Sequence, residues 1–201
     1  MNPALELRPA AARPGWPSLL WFGALLALAY GPVLAGLVRQ WRADEDMSHG
    51  FFVPVLAGYI AWQKRARLRA RRAQPSRWGL VVAAAAALQL YFATLGAELF
   101  LARTAFVLSV IAVVLTLGGL PYLRELRFPL LLLFFMVPVP ALVYNGITLP
   151  LQLLASRVAA ALALLEVPVL REGNILELAN QRLSVVEACS GIRSLLSLAF
   201  L

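Results

Sequence analysis

The residues best suited to chemistry lie near the end of the chain, in Leu183-Ser-Val-Val-Glu-Ala-Cys-Ser-Gly-Ile-Arg-Ser-Leu-Leu-Ser-Leu-Ala-Phe-Leu201. The only cysteine, Cys189, stands where a polar segment gives way to an apolar one. Ahead of it, Leu183 to Glu187 reads as a short strand rich in β-branched residues. Behind it, Ile192, Leu195, Leu196, Ala199 and Phe200 recur at helical spacing, with Ser190-Gly191 as the start. This spacing puts Cys189 at a helix N-terminus, where unpaired N–H groups and the helix dipole favour the reactive thiolate. The same N–H groups can hold the oxyanion of an acyl-transfer intermediate. Arg193, one turn on, adds a fixed positive charge on that face.

Acyl transfer also needs a proton acceptor. Arginine stays protonated and makes a poor base, so His49, the only histidine, is the one candidate the chain offers. Each residue has a plainer alternative. A lone cysteine is commonly a small buried hydrophobe, and His49 can cap the apolar segment that follows it.

Composition decides the environment. Of 201 residues, 61% are hydrophobic and 14% charged, with mean hydropathy +0.78. Soluble domains run at about 45–50% apolar and about 25% charged, so this is an integral membrane protein. The net charge of +8, from 18 Lys+Arg against 10 Asp+Glu, is concentrated in one loop between apolar segments. That placement marks a cytoplasmic loop and argues against a nucleic-acid partner. A single cysteine excludes an intramolecular disulfide. With one His and one Cys there is no metal-ligand cluster, and no cofactor is expected.

The elements that must position Cys189 form an all-α polytopic membrane protein: five or six transmembrane helices, the start of another, and a small β-hairpin before the cysteine. Residues 1–16 read as a cytoplasmic tail and 17–201 as one membrane domain. Pro17 to Val38 is long enough to span a core that needs about 20 residues. A polar loop with Asp44 to Asp46 and His49 follows, then a short second span from Met47 to Trp62. Lys64 to Arg77 carries seven cations and no acid, which places this loop and the N-terminus inside and the His49 loop outside.

Trp78 to Leu95 and Leu99 to Leu117 read as spans three and four, joined at Gly96-Ala-Glu98. Arg103, one turn into the fourth, can snorkel outward or face a polar cavity. Arg124 and Arg127 return the chain inside, and Phe128 to about Val143 is a fifth span, kinked by Pro138 and Pro140. Ile147 to Leu165 either crosses or lies re-entrant. Asn145, Thr148, Gln152 and Ser156 give its helix a polar stripe that predicts partial exposure to water. If it does not cross, Cys189 shares the outer face with His49. Val169 to Leu178 and Leu183 to Val186 read as the two arms of the hairpin, turning near Asn180. From Gly191 to Leu201 a helix covers only about 16 Å of a core about 30 Å thick, so the chain is expected to be an N-terminal fragment.

Glu187-Ala-Cys-Ser-Gly-Ile-Arg193, with Arg171-Glu-Gly-Asn-Ile, Val185-Val186 and the upstream Ser48-His-Gly-Phe-Phe-Val-Pro54, resembles the exosortase/archaeosortase family from about residue 20 onward. The resemblance implies a multi-pass protein of the bacterial cytoplasmic (inner) membrane, with its active face outward. It implies a cysteine peptidase/transpeptidase that cleaves C-terminal sorting tails (PEP-CTERM) of exported proteins, in systems that often accompany exopolysaccharide genes. Cys189 matches the catalytic cysteine and would carry an acyl-thioester. The family's catalytic Arg and His lie in later helices, so Arg193 and His49 do not match them, and this chain alone is expected to be inactive. The partners implied are the lipid bilayer and exported substrates. The alternative is a non-catalytic polytopic protein, a transporter fragment or an assembly scaffold. A transporter would place ionisable groups at mid-membrane, and the spans hold few.

Overall fold

The computed structural model describes residues 15–43, 45–162, 169–172, 175–178 and 181–184. They fall into two compact units, Met1–Pro138 and Val139–Leu201.

In the first unit, α1 spans Trp16–Ala43, followed by a 3-10 segment Glu45–Phe51, then α2 (Phe52–Gln63) and α3 (Arg65–Ala70). Next come α4 (Trp78–Leu95), α5 (Leu99–Leu132) and a second 3-10 segment, Leu133–Met136. Among the described residues, three helical stretches are long and apolar enough to cross a membrane: Pro17–Ala43, Trp78–Leu95 and Leu99–Met136. The 12 residues of α2 reach only about 18 Å, short of a core about 30 Å thick.

Leu99–Met136 absorbs the expected fourth span and the expected fifth as far as Met136. Its backbone breaks at Gly119, with φ 72° and ψ −165°. Val110 and Val114 line the same cavity, of about 290 Å³, as Leu126 and Leu130. In a straight helix, residues roughly 20 positions apart are about 30 Å apart, so α5 folds back on itself at Gly119. Arg124 and Arg127, expected in a loop, are helical. The expected kink at the prolines is a full interruption: α5 stops at Leu132, and residues 137–140 are neither helix nor strand. Pro138 and Pro140 lack the N–H groups a helix needs there.

Two knots tie the ends of these elements. At one end, the Lys64 ammonium donates to the Glu125 carbonyl at 2.7 Å, and Arg71 pairs with the Glu125 carboxylate at 2.8 Å. The Gln74 N–H donates to the Gly118 carbonyl and the Ser76 N–H to the Leu115 carbonyl, laying the basic segment over the fold-back. At the other end, the Trp41 indole N–H donates to the Met136 carbonyl at 3.2 Å. From the Trp41 knot to the Glu125 knot runs α2; the second half of α5 returns.

The packing is the reverse of a soluble core. Large apolar side chains such as Leu28, Trp21 and Trp78 are exposed, while Ala57, Ala86, Ala93, Ala105 and Ala112 are buried. Small residues let helices approach closely where lipid, not water, surrounds them. A Cβ on Gly79 of α4 would lie 2.8 Å from Thr116 Cα of α5. The helices also share polar bonds: Gln89 Nε2 donates to the Leu101 carbonyl and to Thr104 Oγ1, and the Tyr30 and Ser109 hydroxyls meet at 2.7 Å. At the turn between α4 and α5, the Glu98 N–H bonds the Ala93 carbonyl and the Ala97 N–H the Thr94 carbonyl. This is a Schellman closure with Ala97, φ 51°, in the left-handed position. The Glu98 carboxylate then caps α5 by accepting from the Leu101 N–H.

The second unit holds α6 (Ala141–Leu162) and a three-stranded antiparallel sheet, β1 (Val169–Glu172), β2 (Ile175–Leu178) and β3 (Gln181–Ser184). Glu172 pairs with Ile175 and Leu178 with Gln181. The expected first arm of the hairpin is therefore two strands. Gly173-Asn174, between them in sequence, is a pair favoured in two-residue loops. Residue 180, the expected turn, lies outside the described residues.

Candidate functional site

Cys189 and Arg193 lie outside the described residues, so the geometry concerns what leads to them and what surrounds the other candidates. The sheet ends at Ser184, a few residues ahead of Cys189.

His49 sits half-buried in the first 3-10 segment. Its neighbours explain the Ser48–Pro54 sequence. Gly50 is buried face-on against the Trp41 indole, and a Cβ there would overlap the ring, falling 2.6 Å from Trp41 Cδ1. Phe51 packs edge-on against Trp41, with centroids 5.1 Å apart, and Val53 is fully buried. The indole N–H, taken up by Met136, completes a corner that fixes where α2 begins.

Arg103 is the outlier among charged side chains. It is 5% exposed, and its Nε has no hydrogen-bond partner among the described residues. Of the two expectations, a side chain that snorkels outward or one that faces a polar cavity, its burial argues against the first. A guanidinium keeps its charge, and an ionisable group buried within a span is a functional-site candidate by default.

On α6, Thr148, Gln152 and Ser156 are buried while Asn145 is exposed. Leu142, Leu149, Leu154 and Val158 point outward instead. The polar stripe is turned inward, which corrects the expected exposure to water at three of its four residues. The Thr148 and Ser156 hydroxyls donate to carbonyls of their own helix, Tyr144 and Leu153, so they need no water to be satisfied.

Sequence reasoning missed Glu125. Its carbonyl and carboxylate anchor the basic segment. The signal was its isolation, an acid standing between Arg124 and Arg127 near a run of unopposed cations.

Apolar helices with small-residue interfaces, an outward-facing apolar surface and a basic segment pinned at one end define a multi-pass membrane protein. Within that class, the chain belongs to the transmembrane exosortase family (Exosortase_EpsH), whose family model matches residues 41–201. The match begins at Trp41, the residue that receives Gly50, and runs through Cys189. No curated protein and no solved structure matches the chain.

Proposed function

We propose that the protein is an exosortase-type cysteine peptidase/transpeptidase of the bacterial inner membrane. Cys189 attacks the scissile amide of a C-terminal sorting tail on an exported protein. The observation that carries this reading is the family match over residues 41–201, which contains the Glu187–Arg193 block. The thiolate forms a thioester and releases the tail; water or an amine then resolves it. Backbone N–H groups after Cys189 hold the oxyanion, and Arg193 favours the thiolate.

The active face is outward in this reading, because the substrates have been exported. The first helix and the Trp41 knot support the required topology. If the N-terminus is inside, α1, long and apolar enough to cross, carries the chain to the Trp41–Met136 corner outside. His49 then lies on the outer face, and Cys189 joins it if α6 does not carry the chain back.

Trapping the intermediate tests the proposal. In cells producing the protein from its own genomic locus with an exported reporter bearing a sorting tail, an adduct of the two is expected that hydroxylamine cleaves; the 201-residue chain expressed alone is expected to give none. The adduct should vanish in Cys189→Ala. An adduct that persists in Cys189→Ala would refute the role of the thiol, and processed reporter without any dependence on Cys189 would refute the function.

A further inference from the structure

Between α1 and α4, where both lie on α5, runs an apolar groove of about 310 Å³. Phe22 and Leu25 form one wall, Leu80, Ala83 and Ala87 the other, and Val113 part of the floor. Its ends differ. At one, the hydroxyl pair of Tyr30 and Ser109 closes the space. At the other, Leu80 and Thr116 open beside the basic segment, because Gly79 abuts Thr116 and the Ser76 N–H bonds Leu115. From Leu80 to Leu90 the wall is about 15 Å long, the reach of a hydrocarbon chain and too narrow in cross-section for a folded partner.

Arg77 stands directly before α4, about one turn from Leu80 at the open mouth. Lys64 and Arg71 are held by Glu125, and Arg65 lies over the Trp62 ring at 4.5 Å. Arg67, Arg69, Arg72 and Arg77 are exposed and form no ion pair among the described residues. Trp78, the first residue of α4, is largely exposed and stands beside Arg77, a position suited to an amphipathic ring near headgroups.

We propose that this groove binds one anionic phospholipid from the leaflet on the side of the basic segment. Its phosphate lies at Arg77 and one acyl chain lies along Leu80, Ala83 and Ala87. Charge complementarity selects the occupant: a zwitterionic headgroup carries no net charge to offset the uncommitted arginines, while a phosphatidylglycerol does. Ala83 and Ala87, a turn apart and both exposed, leave the width a chain needs.

Native mass spectrometry of the full-length protein in mild detergent, with phosphatidylglycerol and phosphatidylcholine of identical chains at equal concentration, tests this. One phosphatidylglycerol should be retained in preference. Arg77→Gln should weaken retention by about fivefold, the effect of one cation near a headgroup, whereas Arg67→Gln should leave it within about twofold. Ala83→Phe should fill the groove and abolish retention while circular dichroism and elution volume stay unchanged. Equal retention of the two lipids would overturn the proposal. So would equal losses at Arg67 and Arg77, which would mean diffuse attraction, or undiminished retention in Ala83→Phe, which would place the lipid elsewhere.

Discussion

Gly119→Ala tests the fold-back of α5, on which the arrangement of the first unit depends. The residue sits at φ 72° and ψ −165°, a region that side-chain-bearing residues scarcely enter. Holding alanine there costs about 1–3 kcal/mol. A Cβ would also overlap the Gln74 carbonyl oxygen and lie 2.7 Å from its carbon. Relief requires the 71–77 segment to lift, losing the Gln74 to Gly118 hydrogen bond, worth about 0.5–1.5 kcal/mol. The sum is about 2–4 kcal/mol, or a fall in Tm of about 5–15 °C for a chain of this size. Thermal unfolding in detergent, followed by tryptophan fluorescence, reads it. Gly58→Ala is the matched control. Nothing lies within 4 Å of a Cβ built there, and in mid-helix the alanine should stabilise by up to about 1 kcal/mol. Equal shifts in the two variants, or none at Gly119, would refute the claim that this glycine permits the reversal.

Reporter fusions at Pro75 and Glu45 should report opposite sides of the membrane; the same side at both would sink the topology. A membrane-impermeant maleimide should label Cys189 in intact cells, more slowly in Arg193→Ala because less of the thiol is ionised. Labelling only after permeabilisation would put the thiol inside and exclude the mechanism. Ala97→Gly should raise Tm slightly, since a left-handed alanine costs about 1–2 kcal/mol and glycine about nothing. A lower Tm would show that the α4–α5 turn is not under that strain.

What the sequence revealed followed the strength of its local signals. The apolar run after Pro17 and the cation cluster after Lys64 depend on composition over many residues, and α1, α4 and the pinned basic segment follow from them. The fifth span was harder. Phe128 to Val143 is apolar throughout, but hydropathy does not register that Pro138 and Pro140 withhold backbone donors. The reversal at Gly119 was invisible because Gly118-Gly119 reads as a pair of weak helix formers, and its conformation depends on Gln74, distant in sequence. On α6 the polar stripe was visible at helical spacing, but which way it faced was not. In a membrane protein the usual rule inverts, and Thr148, Gln152 and Ser156 turn inward. The Ser48–Pro54 block carried a family resemblance without its reason; the close fit of Gly50 to Trp41 supplies one.

The clasp at Glu125 has a consequence for how the protein is made. Glu125 is synthesised 61 residues after Lys64, which at about 5–20 residues per second is a delay of about 3–12 s. If the cations take their side of the membrane before Glu125 emerges, they do so without the acid that later holds Lys64 and Arg71. The clasp then cannot choose the orientation of the early helices; it can only latch an orientation already taken. In that order of events, birth order divides the labour: the early arginines and lysine would set the orientation, and one late glutamate would make it hard to reverse.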